Sequence, residues 1–282
     1  MKIASYRVGD EIVYGAVDVD GTVRDLRAAD PSLPADLNDA LGLLVGYQAD
    51  LSAVPVLDTS GATLLPAVPA PGKIICIGVN YADHAAETGS STPPYPTVFG
   101  KFSNSLLAAG QDIELPRSST QMDYEGELGV VIGKGGKYIG EDDALAHVAG
   151  YVAVNDVTAR DFQGHTSQWI MGKSGDGFAP LGPAIVTADE VADPHALRLK
   201  TIVSGEVLQD ASTGDMIFKI PQLIAYLSQT MTLQPGDLIA TGTPSGVGMA
   251  RDPRRWLVPG DTVTVSITGL PDLTNPVTAE PS

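Results

Sequence analysis

Cysteine is almost missing from this chain. The single thiol, Cys76, excludes an intrachain disulfide and a thiolate zinc centre. It sits in the apolar run Ile74-Ile75-Cys76-Ile77, which predicts a buried, inert side chain, and it fits a reducing compartment. Positive charge is also scarce: 17 Lys and Arg stand against 34 Asp and Glu, a formal net charge of -17. Such a surface repels nucleic acid phosphates and anionic membranes, so neither is expected as a partner. It repels a small anion at long range too, so a site for one needs its own local positive charge. No apolar run approaches the length of a membrane span, and the start Met1-Lys2-Ile3-Ala4-Ser5-Tyr6 has no signal-peptide core. A cytoplasmic protein is the expectation. There is no internal repeat and no low-complexity segment.

What is present is enough chain for a sizeable core: 282 residues, 43% of them hydrophobic. Residues 1–66 read as a small β-rich unit, with strands at 3–8 and 12–19 around Gly9-Asp10 and a hairpin turn at Asp20-Gly21. Residues 37–47 have the apolar spacing of a helix. The proline-rich stretch 66–72 marks a boundary, and a main domain is expected over 72–282. Its strand candidates are 73–79, 128–132, 148–154, 197–203, 238–241 and 262–267. Its best amphipathic helix spans 220–231, with Pro221 in the first turn. Strands outnumber helices and do not alternate regularly with them. That pattern predicts a mixed, mostly β architecture rather than a doubly wound α/β sheet.

Several familiar motifs are excluded. Gly172-Lys173-Ser174 resembles the end of a phosphate-binding loop, but the required earlier glycine is Ser167. Gly133-Lys134-Gly135-Gly136 lacks the glycine spacing of a dinucleotide fingerprint. There is no Gly-x-Ser-x-Gly elbow and no His-Glu-x-x-His.

The chemistry concentrates in the acidic stretch 123–132. Asp123, Glu125 and Glu127 alternate with Tyr124 and Gly126, so in a strand all three share one face. Alone, this pattern is commonly an exposed acidic edge. Here it runs into Leu128-Gly129-Val130-Val131-Ile132, and carboxylates entering a core call for a hard cation. Asp156 closes a second apolar strand. Glu125, Glu127 and Asp156 thus offer three oxygen ligands, the set suited to Mg²⁺ or Mn²⁺ rather than Zn²⁺. His84 and Glu87 lie three apart and share a face if helical, so the carboxylate can orient the imidazole. The following Gly89-Ser90-Ser91-Thr92-Pro93-Pro94 reads as a mobile segment. Lys173 lies in a glycine-rich turn, where most lysines are solvated. The turn 240–248 has backbone N–H groups that can hold an anion.

In order, these segments resemble the fumarylacetoacetate hydrolase family. The resemblance is carried by Gly-x-Asn-Tyr-x-x-His-x-x-Glu at 78–87, Glu-x-Glu-Leu at 125–128 and Asn-Asp-x-Thr-Ala-Arg-Asp at 155–161. Gly-Lys-Ser at 172–174 and Thr-Gly-Thr-Pro-x-Gly-Val-Gly at 241–248 complete it. It implies a β-roll or sandwich, a homodimer, and Mg²⁺ or Mn²⁺ on Glu125, Glu127 and Asp156. It implies a catalytic dyad of His84 and Glu87 on a lid, with Lys173 at the reacting carbonyl or enolate. Arg160 and Gln163 would line the pocket, and Thr243 would bind the substrate carboxylate. An additional upstream aspartate ligand of the larger family members has no counterpart here. The implied substrate is a small oxo-acid or diketone. The implied reaction is C–C hydrolysis of an acylpyruvate or other 1,3-dicarbonyl, with oxaloacetate decarboxylation or keto–enol isomerisation at the same centre as the alternative.

Overall fold

A computed structural model describes residues 1–281. Most strands lie in two sheets. The larger has twelve strands, and its central strand, Gly126–Ile132, is buried along its whole length. That strand pairs antiparallel with Val148–Asn155 on one side and with Leu238–Ala240 on the other. Ile74–Gly78 and then Thr97–Lys101 complete that side of the sheet. Continuous apolar runs suit these strands because both of their faces are covered.

The second sheet has five strands, in the order Glu206–Ser212, Arg198–Val203, Thr262–Ile267, Leu273–Ala279 and Ile113–Leu115. It packs on the first through an apolar layer that includes Leu128, Val130, Leu199, Val265 and Ile267. Burying each such side chain contributes about 1.5–3 kcal/mol. Helix Ile220–Ser228 adds Leu223, Ile224 and Leu227 to the same layer. The architecture is mixed and mostly β, as the strand-rich sequence pattern predicts.

The N-terminal segment is built into the larger sheet. Lys2–Val8 pairs with Glu11–Val17 around Gly9-Asp10, and its other edge joins Ile185–Thr187. Ile3 and Leu41 share an apolar cluster with Val152 and Leu238. The proline-rich stretch is therefore a covalent connection between segments that hydrogen-bond to each other.

Three local expectations change. The helix predicted over 37–47 is Leu37–Leu44, and the one predicted over 220–231 ends at Ser228. The acidic stretch is not one strand: Met122–Asp123 and Gly126–Ile132 are separate, and Tyr124 and Glu125 lie in the gap. Period-2 alternation fails across that break, so Asp123 does not share a face with the two glutamates.

Candidate active site

The register between two buried strands creates the acidic centre. Gly126 stands opposite Asn155, so Glu125 and Asp156 meet at the adjoining ends. The Asp156 N–H donates to the Glu125 carbonyl at 2.8 Å. Glu127, two residues on from Glu125, returns to the same side. Carboxylate oxygens of Glu125, Glu127 and Asp156 lie within 4.8 Å of one another, and all three residues are buried.

Cations surround two of the three. Lys173 Nζ donates to Glu125 Oε2 and to Asp156 Oδ2, each at 2.7 Å. Arg160 Nη2 lies 2.6 Å from Glu125 Oε1. Lys101 Nζ donates to Asp156 Oδ1 at 2.5 Å and to the Val157 carbonyl at 3.2 Å. Glu127 has no such partner among the described residues. It accepts only the Gly242 N–H, at 2.8 Å on Oε2.

This asymmetry shows in the ionisation. Burial alone would raise the Glu125 carboxyl, but Lys173 and Arg160 hold it below the usual carboxylate range. Burial, and then the charges of Asp156 and Glu125, push Glu127 well above that range. Burial would lower Lys173, yet Asp156 and Glu125 keep its ammonium charged. The nearby Cys76 thiol is driven up by burial and then by Asp156, which makes it an unreactive side chain.

Asp123 performs a different task from the one expected of it. Its carboxylate accepts the N–H groups of Tyr124, Gly248 and Met249 and the Nε–H of Arg160, at 2.7 to 3.0 Å. All of its acceptor capacity goes to holding the glycine-rich turn and Arg160. It is a clamp outside the acidic triad.

The histidine enters from the neighbouring strand. Ile74–Gly78 ends at Val79, whose φ of 56° is rare for a β-branched residue. Asn80 then ties the turn down. Its Nδ2 donates to the carbonyls of Thr241 and Phe218, and its Oδ1 accepts the Phe218 N–H. Helix Ala82–Glu87 follows and presents His84, with Nδ1 at 2.8 Å from Glu87 Oε1. Glu87 Oε2 accepts the Gly246 N–H at 2.8 Å. Glu87 thus ties the helix to the 241–248 turn, and Asn80 ties the segment before it to Phe218.

His84, Lys173 and the three carboxylates line one cavity of about 340 Å³. That size is near the lower end of small-molecule sites, roughly 300–1,000 Å³. Phe99 and Trp169 form an aromatic wall, edge to face at 5.3 Å between centroids, and Lys173 Nζ lies 5.1 Å from the Phe99 ring centre. Gln163 also lines the cavity. Its Oε1 accepts from Arg160 Nη1 at 3.0 Å, which leaves its amide N–H groups as the free end. Thr243 lines it as well, but its hydroxyl already donates to the Gly126 carbonyl and accepts from Gln209 Nε2. A carboxylate bound through that side chain would have to replace one of these partners.

Residues 73–278 match the family described as fumarylacetoacetate (FAA) hydrolase C-terminal. The chain belongs to the fumarylacetoacetate hydrolase family. Among curated relatives it is 46% identical over 264 residues to oxaloacetate tautomerase FAHD2A, mitochondrial, of Bos taurus, covering 91% of this chain and 84% of that one. Two solved structures resemble it across nearly their full lengths. Fumarylacetoacetate hydrolase of Exiguobacterium antarcticum is 37% identical with a TM-score of 0.85, covering 99% of this chain and 100% of that one. The 5-carboxymethyl-2-hydroxymuconate delta-isomerase of Mycobacterium smegmatis is 32% identical with a TM-score of 0.79, covering 100% of both chains. This fumarylacetoacetate hydrolase family member therefore lies within an enzyme family that includes named hydrolases, isomerases and tautomerases.

The residues present fit a divalent cation. Three hard oxygen donors converge without nitrogen or sulfur, and Glu127 lacks a cation of its own. Among the described residues, four buried carboxyl groups, counting Asp123, form ion pairs with three cations, Lys101, Lys173 and Arg160. A divalent charge there would offset the surplus of carboxylates.

Two of the contributors were not singled out in the sequence. Lys101 ends an edge strand, 55 positions from the aspartate it meets, and Trp169 looks like any apolar residue before a helix. No local pattern marks either one.

Proposed function

We propose that this chain is a divalent-metal-dependent tautomerase of a small 2-oxo acid, with oxaloacetate the first substrate to test. One observation carries the reading: an imidazole oriented by a carboxylate lines the same small cavity as Lys173 and the acidic triad. The tautomerase named among the relatives supports the choice of oxaloacetate. When bound to Glu125, Glu127 and Asp156, Mg²⁺ or Mn²⁺ supplies Lewis-acid polarisation of substrate oxygens.

The protein's own groups move the proton. With Nδ1–H donated to the Glu87 carboxylate, His84 keeps Nε2 free as a base. It takes a proton from the carbon beside the carbonyl; the C–H electron pair becomes the C=C bond, and the carbonyl π pair moves onto oxygen. Lys173 has a third N–H beyond the two given to Glu125 and Asp156, and that proton stabilises the oxyanion. Glu87 holds the imidazolium until it returns the proton to oxygen. The free amide of Gln163 orients the substrate, and the Phe99–Trp169 wall limits its size.

The test follows the enol absorbance of oxaloacetate, with pyruvate measured in parallel. Mn²⁺-loaded protein should speed keto–enol exchange without matching pyruvate release, and His84→Ala should lose about 10²–10⁴-fold. No acceleration with any divalent ion rejects the reading.

C–C hydrolysis is the second reading, supported by the likeness to the Exiguobacterium hydrolase. His84 would then take its proton from a water that attacks the distal carbonyl of an acylpyruvate. Faster acylpyruvate cleavage than oxaloacetate exchange would make hydrolysis the main reaction, and stoichiometric pyruvate from oxaloacetate would make it decarboxylation. A cytoplasmic homodimer is part of the proposal, and a monomer by light scattering at micromolar concentration would remove the dimer.

A further inference from the structure

Each carboxylate of the triad has one oxygen turned away from the other two and held by a group other than Lys173. Arg160 holds Glu125 Oε1, the Gly242 N–H holds Glu127 Oε2, and Lys101 holds Asp156 Oδ1. The other oxygen of each faces the centre of the triad: Glu127 Oε1, and Glu125 Oε2 and Asp156 Oδ2, which share the Lys173 ammonium and each keep a lone pair for an ion. Lys101 stands out among the three holders. Its side chain is 1% exposed, and it is not among the residues that line the cavity. Nothing in the proposed proton transfer uses it. A buried ammonium costs several kcal/mol in desolvation, whereas Glu127 is held by a backbone amide alone.

We infer that Lys101 is a positioning residue that keeps Asp156 a one-oxygen ligand and thereby makes the site select Mg²⁺ or Mn²⁺ over Ca²⁺. Small octahedral ions tolerate single oxygens, and Mg²⁺ fills its remaining positions with water or substrate. Ca²⁺ takes about six to eight oxygens and commonly gains them by binding a carboxylate through both. With Oδ1 locked on Lys101, Asp156 cannot turn to give both. Arg160 and Gly242 impose the same limit on Glu125 and Glu127, but Arg160 itself lines the cavity and the Gly242 N–H belongs to the backbone, which leaves Lys101 as the holder that a side-chain substitution can test. The inference rests on the metal reading proposed above.

Lys101→Met keeps a straight, nearly isosteric chain and removes the donor. Calorimetry would give the affinities of the full-length protein for Mg²⁺, Mn²⁺ and Ca²⁺, with a thermal melt as the control for folding. Losing a positive charge strengthens every divalent cation alike, so the ratio reads the geometry and the absolute affinity does not. The wild type should bind Mn²⁺ at least about 10-fold more tightly than Ca²⁺, and the variant should narrow that preference by about 10-fold or more. Equal changes for all three ions, or a wild type with no preference against Ca²⁺, overturns the inference and leaves the metal site standing. A wild type that binds none of the ions overturns the metal reading itself. A variant that does not fold leaves the wild type to decide, through a crystal grown with Mn²⁺. Asp156 bonded through Oδ2 alone, with Lys101 on Oδ1, supports the inference, and both oxygens on the ion overturns it.

Discussion

Glu87 joins the dyad helix to the glycine-rich turn, since its Oε2 accepts the N–H of Gly246, 159 positions along the chain. The same carboxylate orients His84 through Oε1. The imidazole and the turn beside the acidic centre are therefore tied through one carboxylate.

Gly246 cannot be exchanged without cost. Its φ is 103°, and an added Cβ would lie 2.0 Å from the Leu208 carbonyl oxygen. Gly246→Ala should destabilise the protein by about 2–4 kcal/mol. It should also depress turnover beyond what stability explains, because Glu87 loses its second anchor. Thermal melts and kcat measured well below the transition test both parts. A variant with unchanged melting would show that the turn relaxes freely.

Glu127→Gln should act in opposite directions with and without metal. The carboxyl is buried beside two others and forms no ion pair among the described residues, so metal-free protein bears the cost of either keeping it charged or protonating it. In chelator the variant should melt above the wild type. With Mn²⁺ present it should melt below, with metal affinity weakened by roughly 100-fold or more. Differential scanning calorimetry in the two buffers reads both signs. A destabilised metal-free variant would mean that Glu127 serves the fold instead.

Gly78→Ala should damage the site through Trp169. A Cβ at Gly78 would fall 2.5 Å from Trp169 Cζ3, so the indole must shift within the wall of the cavity. We expect kcat/KM to fall by about 10-fold or more, with divalent-cation affinity retained, since a misplaced wall misplaces substrate and not the carboxylates. Unchanged kcat/KM would show that the wall does not position the substrate.

His195 supplies the acid sensitivity of one helix. Its Nε2 accepts the N–H of Ile220 at 3.1 Å, at the start of helix Ile220–Ser228, which requires a neutral ring nitrogen. Burial, with Lys219 adding to it and Asp193 opposing it, holds the imidazole below its ordinary value of 6.5. The unfolded chain therefore binds a proton that the folded chain resists. This contribution to stability is intact above pH 6.5 and is lost as pH falls through the depressed folded value. His195→Leu should flatten the fall in melting temperature between about pH 6.5 and 5. A wild-type slope in the variant would assign the sensitivity elsewhere.

Much of the centre can be read from short spacings. The three-residue step from His84 to Glu87 needs only a helical turn, and the apolar run after Glu127 implies a buried strand. The alternation from Asp123 to Glu127 misleads, because the strand breaks at Tyr124 and Glu125 and sends Asp123 to Arg160 and the Gly248 turn. Strands such as Glu206–Ser212 and Leu273–Ala279 escape notice because their polar residues mask the apolar ones, and only pairing in the second sheet makes them regular.

The sequence by itself determined the strand-rich composition, the three acidic residues of the centre and the family, since each depends on residue type and near spacing. The tertiary structure decided which charges meet. Strand register set Glu125 against Asp156, and the edge strand Thr97–Lys101 brought a lysine across 55 residues to the same aspartate. Electrostatic pairing in a buried site acts over a few ångströms and ignores chain distance, so the partners of these carboxylates become visible only when the sheets are assembled.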